Sequence, residues 1–344
     1  MKLYAGIDLH STNSYVVLVD EEGAIKYKKR LPNDIKIILH ELSAFEHIQS
    51  IAVESTYNWY WLVDGLKAAG YHVRLANTNA IQQYNGLKQT NDKTDAHWLA
   101  ELVRLNILPE GHIYPKEERG VRDLLRKRMQ LVQQSTLNLL SIQTIIARNT
   151  SQRITANKIK QLTDDDLKKY LSSESVFLAA KSNLVVLNCL QEEIHSIEKK
   201  ILSHVKDNVC YQNLQTIDGI GKILAFAIML ETGEISRFNK AGNYASYCRC
   251  VNSLRISNGK KKGENNRKNG NKYLAWAYTE AANFAIRHNE VIKRYYQRKA
   301  KKKNQIVAIK TVAHKLARAC FYIIRDGVPF DIKLAFMNYR VRLK

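Results

Sequence analysis

Four carboxylates occupy positions that a single point in a fold could collect: Asp8, Glu54, Asp92 and Asp95. Asp8 closes the apolar run LYAGID, Glu54 closes SIAVE, and Asp92 and Asp95 open the pattern DKTDAHWLAELV. Being three residues apart, the last two share one face of a helix. Four such groups converging cannot all stay ionised without a cation. Mg²⁺, or Mn²⁺ in its place, accepts hard oxygen ligands and commonly works in pairs about 4 Å apart on phosphoryl groups. These four residues are therefore the candidate metal ligands and catalytic carboxylates. Read singly, each has an ordinary role: Asp8 is a strand-end acid and Asp92 a helix N-cap. His10 and His97 lie near them in sequence, placed to hydrogen-bond the carboxylates rather than to ligate.

A second constellation is RISNGKKKGENNRKNGNKYLAWAYTEAA. Gly259, Gly263 and Gly270, with the asparagines between and beside them, are expected to keep this segment extended and open to close approach by a ligand. Lys260, Lys261, Lys262, Arg267, Lys268 and Lys272 offer charge to phosphates. Ser257 stands at the head. On its own, a serine before Asn-Gly is a turn residue.

The elements that must position these groups come from the first hundred residues. LYAGIDL and YVVLVD are strand-length apolar runs joined by a polar turn at 10–13, and Glu21–Gly23 leads to a third strand, AIKYKKR. Pro32, Asn33 and Asp34 open an amphipathic helix through Leu42. SIAVE is a buried strand, followed by a helix around Trp59–Ala69 and a further strand, HVRLAN. A meander followed by βαβα units predicts a mixed sheet covered by helices. In a ribonuclease-H-like sheet the first and fourth strands are neighbours, so Asp8 and Glu54 would meet at one edge. Trp59, Tyr60 and Trp61 suit a buried aromatic cluster better than a base-stacking platform.

Beyond Pro115 the pattern is helical. Leu125, Val132, Leu139 and Ile146 recur every seven residues, and Leu187, Leu190, Ile194, Ile197 and Ile201 follow 3–4 spacing. Both segments suit an antiparallel or intermolecular coiled coil, or two ordinary core helices. The expectation is an oligomer held partly by the heptad segments at 121–146 and 184–205, because apolar seams without a partner would expose a patch larger than soluble monomers tolerate. TIDGIG (216–221) reads either as a helix-hairpin-helix gripping phosphate through backbone N–H groups or as a tight packing turn.

The chain has 344 residues with 54 Lys and Arg against 32 Asp and Glu, and the excess is uneven. Residues 251–344 carry a net charge of +18, and the first 250 only +4. A basic block of this kind calls for a polyanion, nucleic acid before an anionic membrane surface. No segment reads as a leader or a membrane span, and five scattered cysteines without CxxC pairs argue against a disulfide framework or structural zinc. The expected setting is a reducing cytosol.

GIDLH, AVES, the Asp92–Asp95 pair followed by Ala96, TIDGIG and SNGKKKG…KNGNKYLAWA together resemble the DEDD transposases of insertion sequences related to the Piv DNA invertase. The resemblance spans about residues 1–105 and 205–300. It implies an α/β RNase H-like (RuvC-like) N-terminal domain over 1–110, a helical coiled-coil bridge over 111–206, and a mainly α transposase domain over 207–344 bearing the basic, serine-containing segment. By position it makes Asp8, Glu54, Asp92 and Asp95 the carboxylates and Ser257 a nucleophile forming a 5′-phosphoserine link to DNA. It also implies a non-coding bridge RNA and a homo-oligomer, dimer or tetramer, acting on donor and target duplexes. Where the family often has Ser-Ser-Gly-Gly, this chain has Ile256-Ser257-Asn258-Gly259. A site-specific invertase, a metal-dependent junction-resolving nuclease and a non-catalytic nucleic-acid-binding protein are the alternative readings.

Overall fold

The structure is a computed structural model that describes residues 1–81, 92–264, 266 and 268–337. The chain divides into two compact units: residues 1–116 with 253–269, and residues 117–252 with 270–344.

The first unit is built on five strands: β1 Leu3–Leu9, β2 Asn13–Val19, β3 Ile25–Pro32, β4 Ile48–Glu54 and β5 Val73–Ala76. Their order is β3-β2-β1-β4-β5. β1–β2 and β2–β3 pair antiparallel, as short polar turns require, while β1–β4 and β4–β5 pair parallel through helical crossovers α1 (Ile35–Ser43) and α2 (Tyr60–Ala68). This mixed sheet has the RNase H-like arrangement, and the sequence-derived strands fall within a few residues of the observed ones. Asp34 caps α1 by accepting from the Lys36 amide.

Strand alternation sorts the sheet into two faces. Leu3, Ala5, Ile7 and Leu9 pack with Ile38 and Leu42 of α1 and Leu62, Val63 and Leu66 of α2. Trp59 belongs to the same core, with the Tyr60 ring edge-on to it at 4.6 Å, so these aromatics are structural. The opposite face carries Gly6, Val17, Ala52 and Ala76, and is covered by α3 (Asp92–Arg104) through Ala96, Leu99, Ala100 and Val103. Gly6 allows this: a Cβ there would overlap the Ala96 carbonyl oxygen and the Ala100 amide of α3.

The second unit is helical: α4 Lys116–Thr150, α5 Ala156–Ile159, α6 Asp164–Tyr170, α7 Glu174–Val205, α8 Val209–Leu214, α9 Lys222–Thr232, α10 Ala241–Tyr247, α11 Lys272–His288, α12 Glu290–Lys302 and α13 Gln305–Asp326. α4 begins one residue before this unit's boundary. α4 and α7 run antiparallel, tied by Arg128–Glu198 at 2.7 Å and by Asn183 donating to Ser141 at 3.2 Å. Leu139, Ile146 and Leu187 are buried in one cluster with residues of α5 and α6, and Leu125, Ile197 and Ile201 in another with α8–α13. Val132, Leu190 and Ile194 are partly buried. Six of these nine residues are thus buried by the chain's own side chains, and three keep partial exposure. Burial within the chain accounts for most of this apolar periodicity.

TIDGIG also packs: Ile217 and Ile220 are buried in the large helical core, and Asn289 donates to the Asp218 carboxylate at 2.7 Å. No described helix is long and apolar enough to cross a membrane.

Candidate metal centre and serine hairpin

In the parallel β1–β4 pair, Ile7 stands beside Val53, so the next residues, Asp8 and Glu54, share one end of the two strands. Asp8 follows Gly6 by two and Glu54 follows Ala52 by two, which puts both on the face that α3 covers. α3 enters that face with its first turn, which holds Asp92 and Asp95. The strand register and the close approach at Gly6 therefore aim three elements at one place.

The geometry there is of acids brought close with little to neutralise them. Asp8 is 2% exposed. His10 Nε2 lies 3.3 Å from Asp8 Oδ2 and 3.2 Å from Asp92 Oδ1. Ligand atoms of Asp8, His10 and Asp92 all lie within 4.8 Å of one another. Burial, then a side-chain hydrogen bond to Asp8 and the charges of Asp8 and Asp95, push the Glu54 carboxyl up to about 8. Burial and the charges of Asp8 and Asp92 raise Asp95 as well, with His10 opposing.

Asp8 Oδ2, His10 Nε2 and Asp95 Oδ1 are buried without a hydrogen bond. Buried polar atoms are ordinarily satisfied, and an orphan points to an ion or water. Hard carboxylate oxygens, with Glu54 and Asp95 raised by burial and by their acidic neighbours, form a donor set that fits a divalent cation. Among the described residues, Asp8, His10 and Asp92 come close enough together to hold an ion, while Glu54 and Asp95 stand within electrostatic reach of Asp8. His10 is the residue that sequence reasoning undervalued. The signal was its position two residues after Asp8, just past the strand end on the same face. His97 Nδ1 is likewise buried and without a hydrogen bond.

The serine segment folds differently from expectation. Arg255–Ser257 and Lys260–Gly263 are strands β6 and β7 of a two-stranded hairpin, with Ser257 opposite Lys260. Asn258 (φ 48°) and Gly259 (φ 68°) both adopt left-handed backbone, the requirement of a type I′ turn, for which Asn-Gly is the favoured pair. The segment is a hairpin rather than an extended strap because this dipeptide reverses the chain. Ser257, Lys260, Lys261 and Lys262 are exposed on it, and so is Lys268 beyond it. Arg267 lies outside the described residues. The hairpin belongs to the same compact unit as the carboxylates, and Asn266 donates to the Asn79 carbonyl within that unit. Lys272 stands elsewhere, in the first turn of α11 in the second unit.

The mixed sheet carries clustered carboxylates at the ends of its first and fourth strands, and comparison with known proteins gives the family. Residues 5–148 match the DEDD transposase domain of the IS110 type, described as "Transposase", and residues 211–297 match the domain described as "Transposase IS116/IS110/IS902 family". The chain is a DEDD-type insertion-sequence transposase carrying both domains. It is 22% identical over 331 residues to the transposase for insertion sequence element IS1111A of Coxiella burnetii, covering 94% of this chain and 87% of that protein. It is also 22% identical over 246 residues to a probable family 20 transposase of Pseudomonas aeruginosa, covering 69% and 71%.

Proposed function

We propose that this transposase cuts and rejoins DNA through a serine–phosphate intermediate, with Asp8, Glu54, Asp92 and Asp95 holding Mg²⁺ or Mn²⁺ beside the scissile phosphate. The observation that carries the reading is the gathering of carboxylates on one face of the sheet, Asp8 and Asp92 about one histidine, with Glu54 and Asp95 raised by the acids around them. A divalent ion bound there supplies charge neutralisation at the phosphate and a lowered barrier to deprotonating a nearby hydroxyl.

In the reaction, Ser257 Oγ forms a bond to phosphorus, the bond from phosphorus to the 3′ oxygen breaks, and the serine proton passes by way of the site carboxylates to the departing 3′ oxygen. Phosphodiester energy is retained, so a second 3′ hydroxyl can reverse the step on a new partner without ATP. Lys260–Lys262 on the facing strand of the hairpin hold the flanking phosphates. Two features favour this reading: Ser257 is exposed at the edge of a turn, and its hairpin belongs to the carboxylate-bearing unit. Guidance by a structured non-coding RNA, three functional regions divided near residues 110 and 206, and a homo-oligomer complete the proposal, since exchange between two duplexes needs at least two active sites. Leu137 and Val185, which are 68% and 57% exposed on α4 and α7, are candidates for contact between copies.

A second reading is metal-dependent hydrolysis by water, favoured by the type I′ turn, which accounts for Ser257 without chemistry. Incubating the protein with end-labelled element DNA, its non-coding RNA and Mg²⁺ separates the two. The serine route yields a protein–DNA adduct that survives denaturing electrophoresis and is absent in Ser257→Ala. Adduct formation by Ser257→Ala, or cleavage at the wild-type rate with no adduct, rejects the serine.

A further inference from the structure

Away from the carboxylates, within the second unit, one face of α4 and the start of α11 form an open groove of about 650 Å³. That size falls among pockets that accommodate small organic ligands. α4 contributes Arg126, Lys127, Gln130 and Gln133, and α11 contributes Lys272, Tyr273 and Trp276. The spacings 126-130-133 and 273-276 each put their side chains on one helix face. We propose that this groove binds an unpaired nucleotide, its base against Trp276 and its phosphate between Lys127 and Lys272. The proposal rests on the reading of the protein as an enzyme acting on nucleic acid and adds a subsite to it.

The groove is built on a fixed floor. Arg126 makes two hydrogen bonds, 2.6 and 2.8 Å, to Glu231, whose side chain has 0% exposure. Asn271 donates to the same carboxylate at 2.7 Å while accepting from the Tyr273 and Leu274 amides as the cap of α11. The guanidinium sits 4.6 Å over the Tyr273 ring. α4, α9 and α11 are therefore locked together beneath the groove, and neither Arg126 nor Tyr273 needs reordering when a ligand arrives.

The Arg126 charge is taken up by Glu231 and that of Arg128, also in the lining, by Glu198, while the exposed Lys127 and Lys272 stand at the rim. Trp276 is only half-buried, packed on the helical core on one side while lining the groove on the other. Gln130 and Gln133 add amide donors and acceptors able to meet a base edge. Asp123 also lines the groove, but the aromatic surface, the two amides and the two exposed lysines together complement a planar, polar-edged ligand carrying a phosphate. An acidic peptide would use the lysines but not the aromatic face. A duplex keeps its base faces stacked, so the match is to a nucleotide outside a helix, in DNA or RNA.

The test uses the full-length chain and fluorescence anisotropy with a short single-stranded DNA, the RNA of the same sequence and the matching DNA duplex. Trp276→Ala should weaken single-strand binding at least about fivefold, the effect of losing one stacked base. Trp276→Phe should restore most of it, and duplex affinity should change less than about twofold. Whichever of DNA and RNA shows the larger loss identifies the strand that uses the groove. Lys127→Ala with Lys272→Ala should make single-strand affinity less salt-dependent, since fewer counterions are released. An oligonucleotide carrying 5-iodouracil should photocrosslink to the peptide containing Tyr273 and Trp276. Unchanged single-strand affinity in Trp276→Ala, or equal losses on single strands and duplex with crosslinks elsewhere, overturns the subsite while leaving the transposase reading intact. A wild-type protein that binds none of the three nucleic acids overturns both.

Discussion

The two units treat a buried acid in opposite ways. In the helical unit, Glu231 is fully buried and fully answered: Arg126 meets it with a two-pronged ion pair and Asn271 adds a third hydrogen bond. In the sheet unit, Asp8 is as deeply buried, yet Oδ2 has no hydrogen bond, and its neighbours Glu54, Asp92 and Asp95 are further acids. Desolvating a carboxylate costs several kcal/mol unless it is paired. The first arrangement meets that cost within the fold and serves stability. The second leaves it outstanding, which is tolerable where a cation binds. The contrast separates a structural acid from a functional one by its partners rather than by its burial.

The strongest way to break this comparison is to remove each acid's answer in turn. Arg126→Ala should strand Glu231 and cost about 3–5 kcal/mol of stability in denaturant titration, with no rescue by Mg²⁺. A loss under about 1 kcal/mol would mean that the pair is dispensable and the contrast overdrawn. Asp8→Asn should do the reverse: DNA cleavage falls on the order of a hundred- to a thousandfold, while the metal-free protein is no less stable than wild type because repulsion has been relieved. The Mg²⁺-induced rise in melting temperature should vanish with it. Persistence of that rise in Asp8→Asn would remove Asp8 from the site.

Gly6→Ala sharpens the comparison by moving the acids apart without changing any of them. The new Cβ displaces α3, and the expected loss is about 1–3 kcal/mol together with weaker Mn²⁺ binding measured calorimetrically. Stability loss with unchanged binding would show that α3 carries no ligand. The gentlest test is pH. Glu54 is raised to about 8, so between the ordinary glutamate range and pH 8 the folded state holds a proton that the unfolded state has released. Without metal, melting temperature should therefore fall as pH rises from about 5 to about 8, and Glu54→Gln should flatten the slope. A rising slope would contradict the burial and repulsion assigned to Glu54.

Much of the sheet unit was legible before any fold was seen. Period-two alternation and short polar turns define β1 to β5 locally, and their order dictates which strands can be neighbours, so Asp8 and Glu54 could be paired from sequence. Asp92 and Asp95 needed only the three-residue spacing of a helix. Three things were not legible in the same way. The Asn258-Gly259 pair signals a hairpin, but its signal was lost in a segment rich in other glycines and asparagines. The apolar residues of α4 and α7 repeat as a coiled coil repeats, and periodicity alone does not say whether the covering surface belongs to another chain. Asp95 and Ser257 stand 162 positions apart, a separation that by itself suggests serine and carboxylates from different domains or subunits, yet residues 253–269 return to the carboxylate unit of their own chain.

The sequence by itself therefore determined the strands, the helix faces, the four acids and their family, because each follows from contacts or periods a few residues long. The tertiary structure decided what those features meet. It placed His10 between Asp8 and Asp92, brought α3 onto Gly6, gave Glu231 its arginine and its asparagine, and buried most of the heptad residues within one chain. The physical reason is range: local propensity and alternation act between near neighbours in sequence. Desolvation, charge pairing and close packing depend on which distant segments share a volume, and only the folded chain brings those segments together.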